Sequence, residues 1–216
     1  MPFRRISVRG RDCPVFVPST GKGPIPCILF LHGIGENGDD GRHLEAGLPP
    51  YIRDHAATFP ALALFPQCRG PWKYVGEDER FALDALSEAE RTLGIDPARI
   101  YLTGLSQGGC SAFDLGAKYP GKWAAIVVVC GAGRPEDAPR LSGIPLWIFH
   151  GEFDEAVPPS GGHVYDRESV GGRDMARLVP GARYTEYPGA DHFIWDRVYA
   201  DPAMWAWLFA QRRPTS

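Results

Sequence analysis

Unbroken apolar runs alternate along this chain with stretches in which apolar residues recur every third or fourth position. The β-type runs lie at residues 3–8, 13–17, 27–31, 61–65, 100–103, 124–130, 145–150 and 183–187. Most have no polar face, so they predict strands buried on both sides in a mainly parallel sheet, with helices on both faces. The two N-terminal runs predict an antiparallel edge. Residues 77–93 illustrate the helical pattern: Phe81, Ala82, Ala85, Leu86, Ala89 and Leu93 share one face, and Glu77, Asp78 and Glu79 suit the positive N-terminal end. Gly94 can cap that helix, and Trp205, Leu208 and Phe209 mark another at residues 202–211. No repeat, linker or low-complexity tract interrupts the chain, and a length of 216 residues suits one domain, residues 1–216, around one core.

Candidate chemistry collects where strand patterns end. Behind the run at 100–103 stands Gly104-Leu105-Ser106-Gln107-Gly108, with a helical pattern beginning at Gln107. A serine on a sharp strand-to-helix turn is held with its hydroxyl pushed out of the sheet, and the turn closes only if its flanking residues are small. Gly104 and Gly108 meet that need, and the helix start aims free N–H groups at the place where negative charge forms in acyl transfer. Ser106 is therefore the candidate nucleophile. Asp154 follows the strand run 145–150, at the edge where open α/β sheets bind ligands. His192 follows the last strand run and the turn Pro188-Gly189-Ala190. The order serine, acid, histidine is that of α/β-hydrolases. Asp191 is the rival acid, but adjacent side chains diverge, which favours Asp154. Upstream, His32-Gly33-Ile34-Gly35 closes the run at 27–31, so the Ile34 amide is expected beside that of Gln107 as a second oxyanion donor.

These stretches resemble the serine esterases of the α/β-hydrolase superfamily, in particular its phospholipase/carboxylesterase and predicted-peptidase groups, which include feruloyl-esterase-like members. The resemblance also takes in Phe65-Pro66-Gln67-Cys68, His150-Gly151-Glu152-Phe153-Asp154 and Tyr187-Pro188-Gly189-Ala190-Asp191-His192 with Trp195. It implies an α/β-hydrolase fold, Ser106 as nucleophile, His192 as base, Asp154 as its partner, and an oxyanion hole at Ile34 and Gln107. The expected substrate is a short-acyl or small aromatic carboxylic ester, hydrolysed without a cofactor. Two rivals stand beside it: a peptidase or amidase using the same triad, and a binding protein on a silent hydrolase scaffold.

Only about 14 residues separate Cys130 from the next strand run, too few for a cap domain. Residues 159–168 interpose what reads as an extra loop beside the triad acid, expected to shape selectivity without supplying chemistry. Tyr165 in that loop, with Trp72 and Trp195, is a candidate substrate contact, core packing being the competing role for the tryptophans. Glu36, Asp39, Asp40 and His43 cluster without a ligand spacing, so no metal is expected. A net charge of −3 and a pI near 6.1 provide no basic face for nucleic acid. No run approaches a membrane span and no signal-peptide core follows Met1, so a soluble, cytoplasmic protein is expected; a mature form or an excised domain would read the same. Five cysteines without metal spacing suit a reducing compartment. Cys13 and Cys68 stay open between thiol and disulfide, as does the oligomeric state.

Overall fold

A computed structural model describes residues 3–19, 23–70, 76–165 and 167–213. Eight strands form one sheet: β1 (Phe3–Val8), β2 (Arg11–Phe16), β3 (Ile25–Leu31), β4 (Leu62–Leu64), β5 (Ile95–Leu105), β6 (Ala125–Val129), β8 (Leu146–Gly151) and β11 (Arg183–Tyr187). Their order across the sheet is β1-β2-β4-β3-β5-β6-β8-β11. The pairings β1–β2 and β2–β4 are antiparallel and all the others parallel, so the N-terminal edge is as expected. β5 starts at Ile95, earlier than its apolar run, because Ile95 pairs with Ile25 before a bulge.

Alternation along each strand divides the core in two. Cys27, Leu29 and Leu31 of β3, with Leu102, Ile126 and Ile148, pack under α2 (Glu77–Thr92), α3 (Gln107–Lys118), α4 (Ala138–Leu141) and α5 (Gly172–Leu178). Ile28 and Phe30, with Tyr101, Val127 and Phe149, pack on the other side under α1 (Leu48–Asp54), α6 (Trp195–Tyr199) and α7 (Pro202–Ala210). Each fully buried large side chain contributes about 1.5–3 kcal/mol, so a sheet apolar on both faces requires both helical layers. All five cysteines are buried free thiols, Cys13 and Cys68 included. Among the described residues no helix is long and apolar enough to cross a membrane, and no cap domain stands between β6 and β8.

One feature departs from the sequence reading. Residues 159–168 do not form a plain loop: β9 (Gly162–Val164) and β10 (Arg167–Gly171) make an antiparallel hairpin, and β10 pairs with β7 (Ala132–Gly133) in a small second sheet. The pattern hid it because β7 and β9 are very short and glycine-containing, and β7 is distant in sequence from the strand it pairs with.

Candidate active site

The backbone at Ser106 is strained. Its φ of 54° lies in the left-handed region, which costs a non-glycine residue about 1–3 kcal/mol. The neighbours hold it there. A Cβ on Gly104 would lie 2.2 Å from the Gly108 carbonyl oxygen, and one on Gly108 would lie 2.0 Å from that of Leu31. The Ser106 amide donates to the Val129 carbonyl at 2.9 Å, fixing the turn to β6.

From Ser106 a hydrogen-bonded chain runs inward. Its Oγ lies 2.8 Å from His192 Nε2, and His192 Nδ1 lies 2.6 Å from Asp154 Oδ2. Because a carboxylate only accepts, Nδ1 carries the proton and Nε2 accepts from the serine hydroxyl. The two loops that supply Asp154 and His192 are joined by backbone bonds, Glu152 N to Tyr187 O at 3.1 Å and Phe153 N to Ala190 O at 2.8 Å. Gly151 permits this closeness, since a Cβ there would lie 1.9 Å from the Asp191 carbonyl oxygen. Asp154 is 3% exposed, and its Oδ1 accepts from the amides of Ala156 and Val157 at 3.0 and 2.8 Å. Burial alone would push this carboxyl up; the bonds from His150, His192 and Val157 overrule it and hold it well below the usual carboxylate range. Asp191 instead accepts from the Phe193 amide at 2.9 Å and is exposed.

The loop after β3 reaches the serine from the other side: a Cβ on Gly33 would lie 3.4 Å from the Ser106 Cβ. Ile34 opens a 3₁₀ turn and Gln107 opens α3, so both amides are first-turn donors with no acceptor in their own helix. The loop is stapled to the end of β4. Gln67 donates to the Glu36 carbonyl and to Asp40, both at 3.0 Å, and accepts from the Gly41 amide at 2.9 Å. His32 accepts from the Cys68 amide at 2.9 Å, while burial holds its pKa down at about 4, which keeps it neutral.

No protein-family profile matches the sequence. In structure the chain is similar to a thermostable esterase, with a TM-score of 0.83 at 26% identity over 98% of this chain and 63% of that one. The chain has the α/β-hydrolase fold. Among curated proteins, the chain is 25% identical to acyl-protein thioesterase 1 of Gibberella zeae over 85% of this chain and 89% of that protein. It is 22% identical to a bifunctional acetylxylan esterase/xylanase of Neocallimastix patriciarum over 72% of the chain, an alignment that spans only 23% of that enzyme.

The remaining expected residues divide three ways. Tyr165 sits at the tip of the β9–β10 hairpin with its hydroxyl 3.0 Å from Ser106 Oγ. Trp195, half-buried, sets its ring edge-on to the His192 ring at a centroid distance of 5.6 Å. Trp72 lies outside the described residues. Sequence reasoning passed over Phe153 and Phe193, which adjoin Asp154 and His192 in the chain and are 63% and 70% exposed; aromatics one position from a candidate site residue are the signal that could have found them. His150, at the end of β8, is fully buried with its Nε2 2.7 Å from the Val157 backbone carbonyl, and the same nitrogen lies 3.3 Å from Asp154 Oδ2. Ligand atoms of Cys130, His150 and Asp154 fall within 4.8 Å of one another. As a cation site this trio fits poorly: burial pushes the Cys130 thiol well up, so it keeps its proton, and both Asp154 oxygens already accept hydrogen bonds. His43, from the upstream acidic cluster, is buried against the Phe65 carbonyl at 2.9 Å.

Proposed function

We propose that this chain is a serine carboxylesterase that hydrolyses short-acyl or small aromatic esters through an acyl-enzyme on Ser106. The observation that carries the reading is the continuous Ser106–His192–Asp154 hydrogen-bond chain, with spacings of 2.8 and 2.6 Å, at the tip of a strained turn. In this mechanism Ser106 Oγ attacks the ester carbonyl as its proton passes to His192 Nε2. Asp154, ionised and buried, orients the imidazole and stabilises its cationic form. The Ile34 and Gln107 amides take the oxyanion. Collapse expels the alcohol with the proton from His192, and water repeats the sequence on the acyl-enzyme.

The substrate class rests on the surroundings. Ile34, Phe153, Tyr165 and Phe193 are exposed large side chains on the segments that carry the site residues, and the Trp195 ring packs against Phe193 at a centroid distance of 5.0 Å. Such a collar offers contact area to a small acyl or aryl group but, without a cap, little enclosure for a long chain. Esterases and an acyl-protein thioesterase among the similar proteins support ester or thioester hydrolysis as the reaction class.

Ser106→Ala and His192→Ala, purified and folded, should each lower kcat/KM on p-nitrophenyl acetate by on the order of 10⁴-fold. A fluorophosphonate should label Ser106 in the unaltered chain. Hydrolysis of an aryl ester but not the matching anilide separates esterase from amidase; near-normal turnover in either variant would overturn the reading.

A further inference from the structure

The hydroxyl of Tyr165 is the one protein group besides His192 with a hydrogen bond to Ser106 Oγ among the described residues, at 3.0 Å. Proton counting fixes its direction. In the neutral imidazole that the base role requires, His192 Nδ1 donates to Asp154, so Nε2 accepts from the serine hydroxyl and Ser106 Oγ has only lone pairs left to offer. Tyr165 therefore donates. We infer that Tyr165 is a catalytic residue of this site, its phenolic O–H stabilising the negative charge that Ser106 Oγ carries while its bond to the acyl carbon forms and breaks. The inference rests on Ser106 being the nucleophile.

The hairpin holds that hydroxyl in place. Tyr165 itself has φ 58°, a left-handed value that persists only where surrounding structure imposes it. At the base, Gly161 has φ 91°, and a Cβ on it would lie 2.3 Å from the Ser169 carbonyl oxygen. Beside the tip, Arg167 Nη2 donates to both carboxylate oxygens of Asp114 at 2.9 Å, and Asp114 belongs to α3, the helix that Ser106 caps. Val164, next to Tyr165, is buried with Cys110 of the same helix. Thus the donor and the nucleophile are referred to one rigid element, and the tyrosine ring, 38% exposed, turns its outer side to solvent and its hydroxyl inward.

The step balances without a proton from Tyr165. In acylation a lone pair of Oγ bonds to the carbonyl carbon, the carbonyl π pair moves to its oxygen, and the serine proton goes to His192; the π pair then returns, the carbon–alkoxy bond breaks, and His192 gives that proton to the departing alcohol. In deacylation water bonds to that carbon with its proton passing to His192, the carbon–Oγ bond breaks, and His192 returns the proton to Oγ. Tyr165 keeps its own proton throughout and acts by hydrogen bonding. Burial, with the Asp154 and Glu36 charges nearby, pushes its hydroxyl up to about 12, so it remains a donor at any working pH.

The test compares the full chain with Tyr165→Phe by stopped-flow on p-nitrophenyl acetate and p-nitrophenyl benzoate, and by fluorophosphonate labelling. Losing one hydrogen bond that strengthens in the transition state should lower both acylation and deacylation rate constants about tenfold, with KM changed by less than about twofold and labelling slowed in proportion. Tyr165→Leu, which removes the ring too, should share the loss in kcat and add a rise in KM for the benzoate. Rate constants in Tyr165→Phe equal to or above those of the unaltered chain would overturn the inference, because a hydroxyl that merely covers the serine slows it. If the unaltered chain neither hydrolyses ester nor labels at Ser106, the esterase reading falls and this one with it; if it does both beside an unimpaired Phe variant, only the role of Tyr165 falls.

Discussion

Ser106 at φ 54° and Tyr165 at φ 58° are two of the four non-glycine residues held in the left-handed region among the described residues, and their hydroxyls meet at 3.0 Å. The means of holding differ. Ser106 stands between the central strand β5 and α3, where backbone atoms crowd Gly104 and Gly108 from several sides. Tyr165 stands on a small edge hairpin kept in place by one ion pair, one buried valine and a short pairing with β7. Strain at the centre is imposed by the fold as a whole, whereas strain at the edge is imposed by a few replaceable groups. The first region should fail by unfolding and the second by losing rate.

Gly108→Ala is the sharpest break on the central side. Its new Cβ would meet the Leu31 carbonyl oxygen at 2.0 Å and that of His32 at 2.5 Å, backbone atoms that cannot rotate away. A loss of about 3 kcal/mol or more in urea unfolding, with loss of labelling at Ser106, is expected. Unaltered stability would show that the turn is not crowded as described.

On the edge side, Arg167→Met leaves Asp114, whose side chain is 6% exposed, without its cation. Arg167 is itself partly exposed, so the cost is about 2 kcal/mol, below the range for fully buried pairs. Arg167→Met with Asp114→Asn should recover most of that stability but not the rate, because the hairpin stays unanchored. Full recovery of kcat in the pair would refute the anchoring role.

Asp154→Asn probes the link between the loops that carry Asp154 and His192. The native carboxyl lies below its unfolded value, so the unfolded chain binds the extra proton and stability rises with pH through this range. The stability contributed is fully present above the unfolded carboxylate value of about 4 and is lost as pH falls from there toward the depressed native value. Urea midpoints of the two proteins should therefore differ most near neutrality and converge below about pH 4. A gap that widens on acidification would reverse the sign and discredit the hydrogen-bond account.

The smallest effect belongs to the collar. Phe193→Ser, at a position 70% exposed, should leave stability within about 0.5 kcal/mol and raise KM for p-nitrophenyl benzoate about threefold while sparing the acetate. Equal KM changes for both esters would remove Phe193 from the aryl contact surface.

Local chemistry made much of this legible in the chain. The apolar runs specify a sheet buried on both faces, and Gly104, Ser106 and Gly108 encode a turn whose requirements are met within five residues. Ser106, Asp154 and His192 could be proposed as partners because each follows a strand pattern, and parallel strands bring those ends to one edge. What the sequence could not decide was pairing across space. That Cys13 and Cys68 are free thiols, that β10 pairs with β7 and that Arg167 meets Asp114 depend on the placement of positions far apart in the chain, and no periodicity records them. Tyr165 shows the boundary best. Its aromatic character in a glycine-flanked loop marked it as rim, but the aim of its hydroxyl at Ser106 depends on β10 pairing with β7 and on an ion pair to α3, so only the tertiary structure turned a rim residue into a neighbour of the proposed nucleophile.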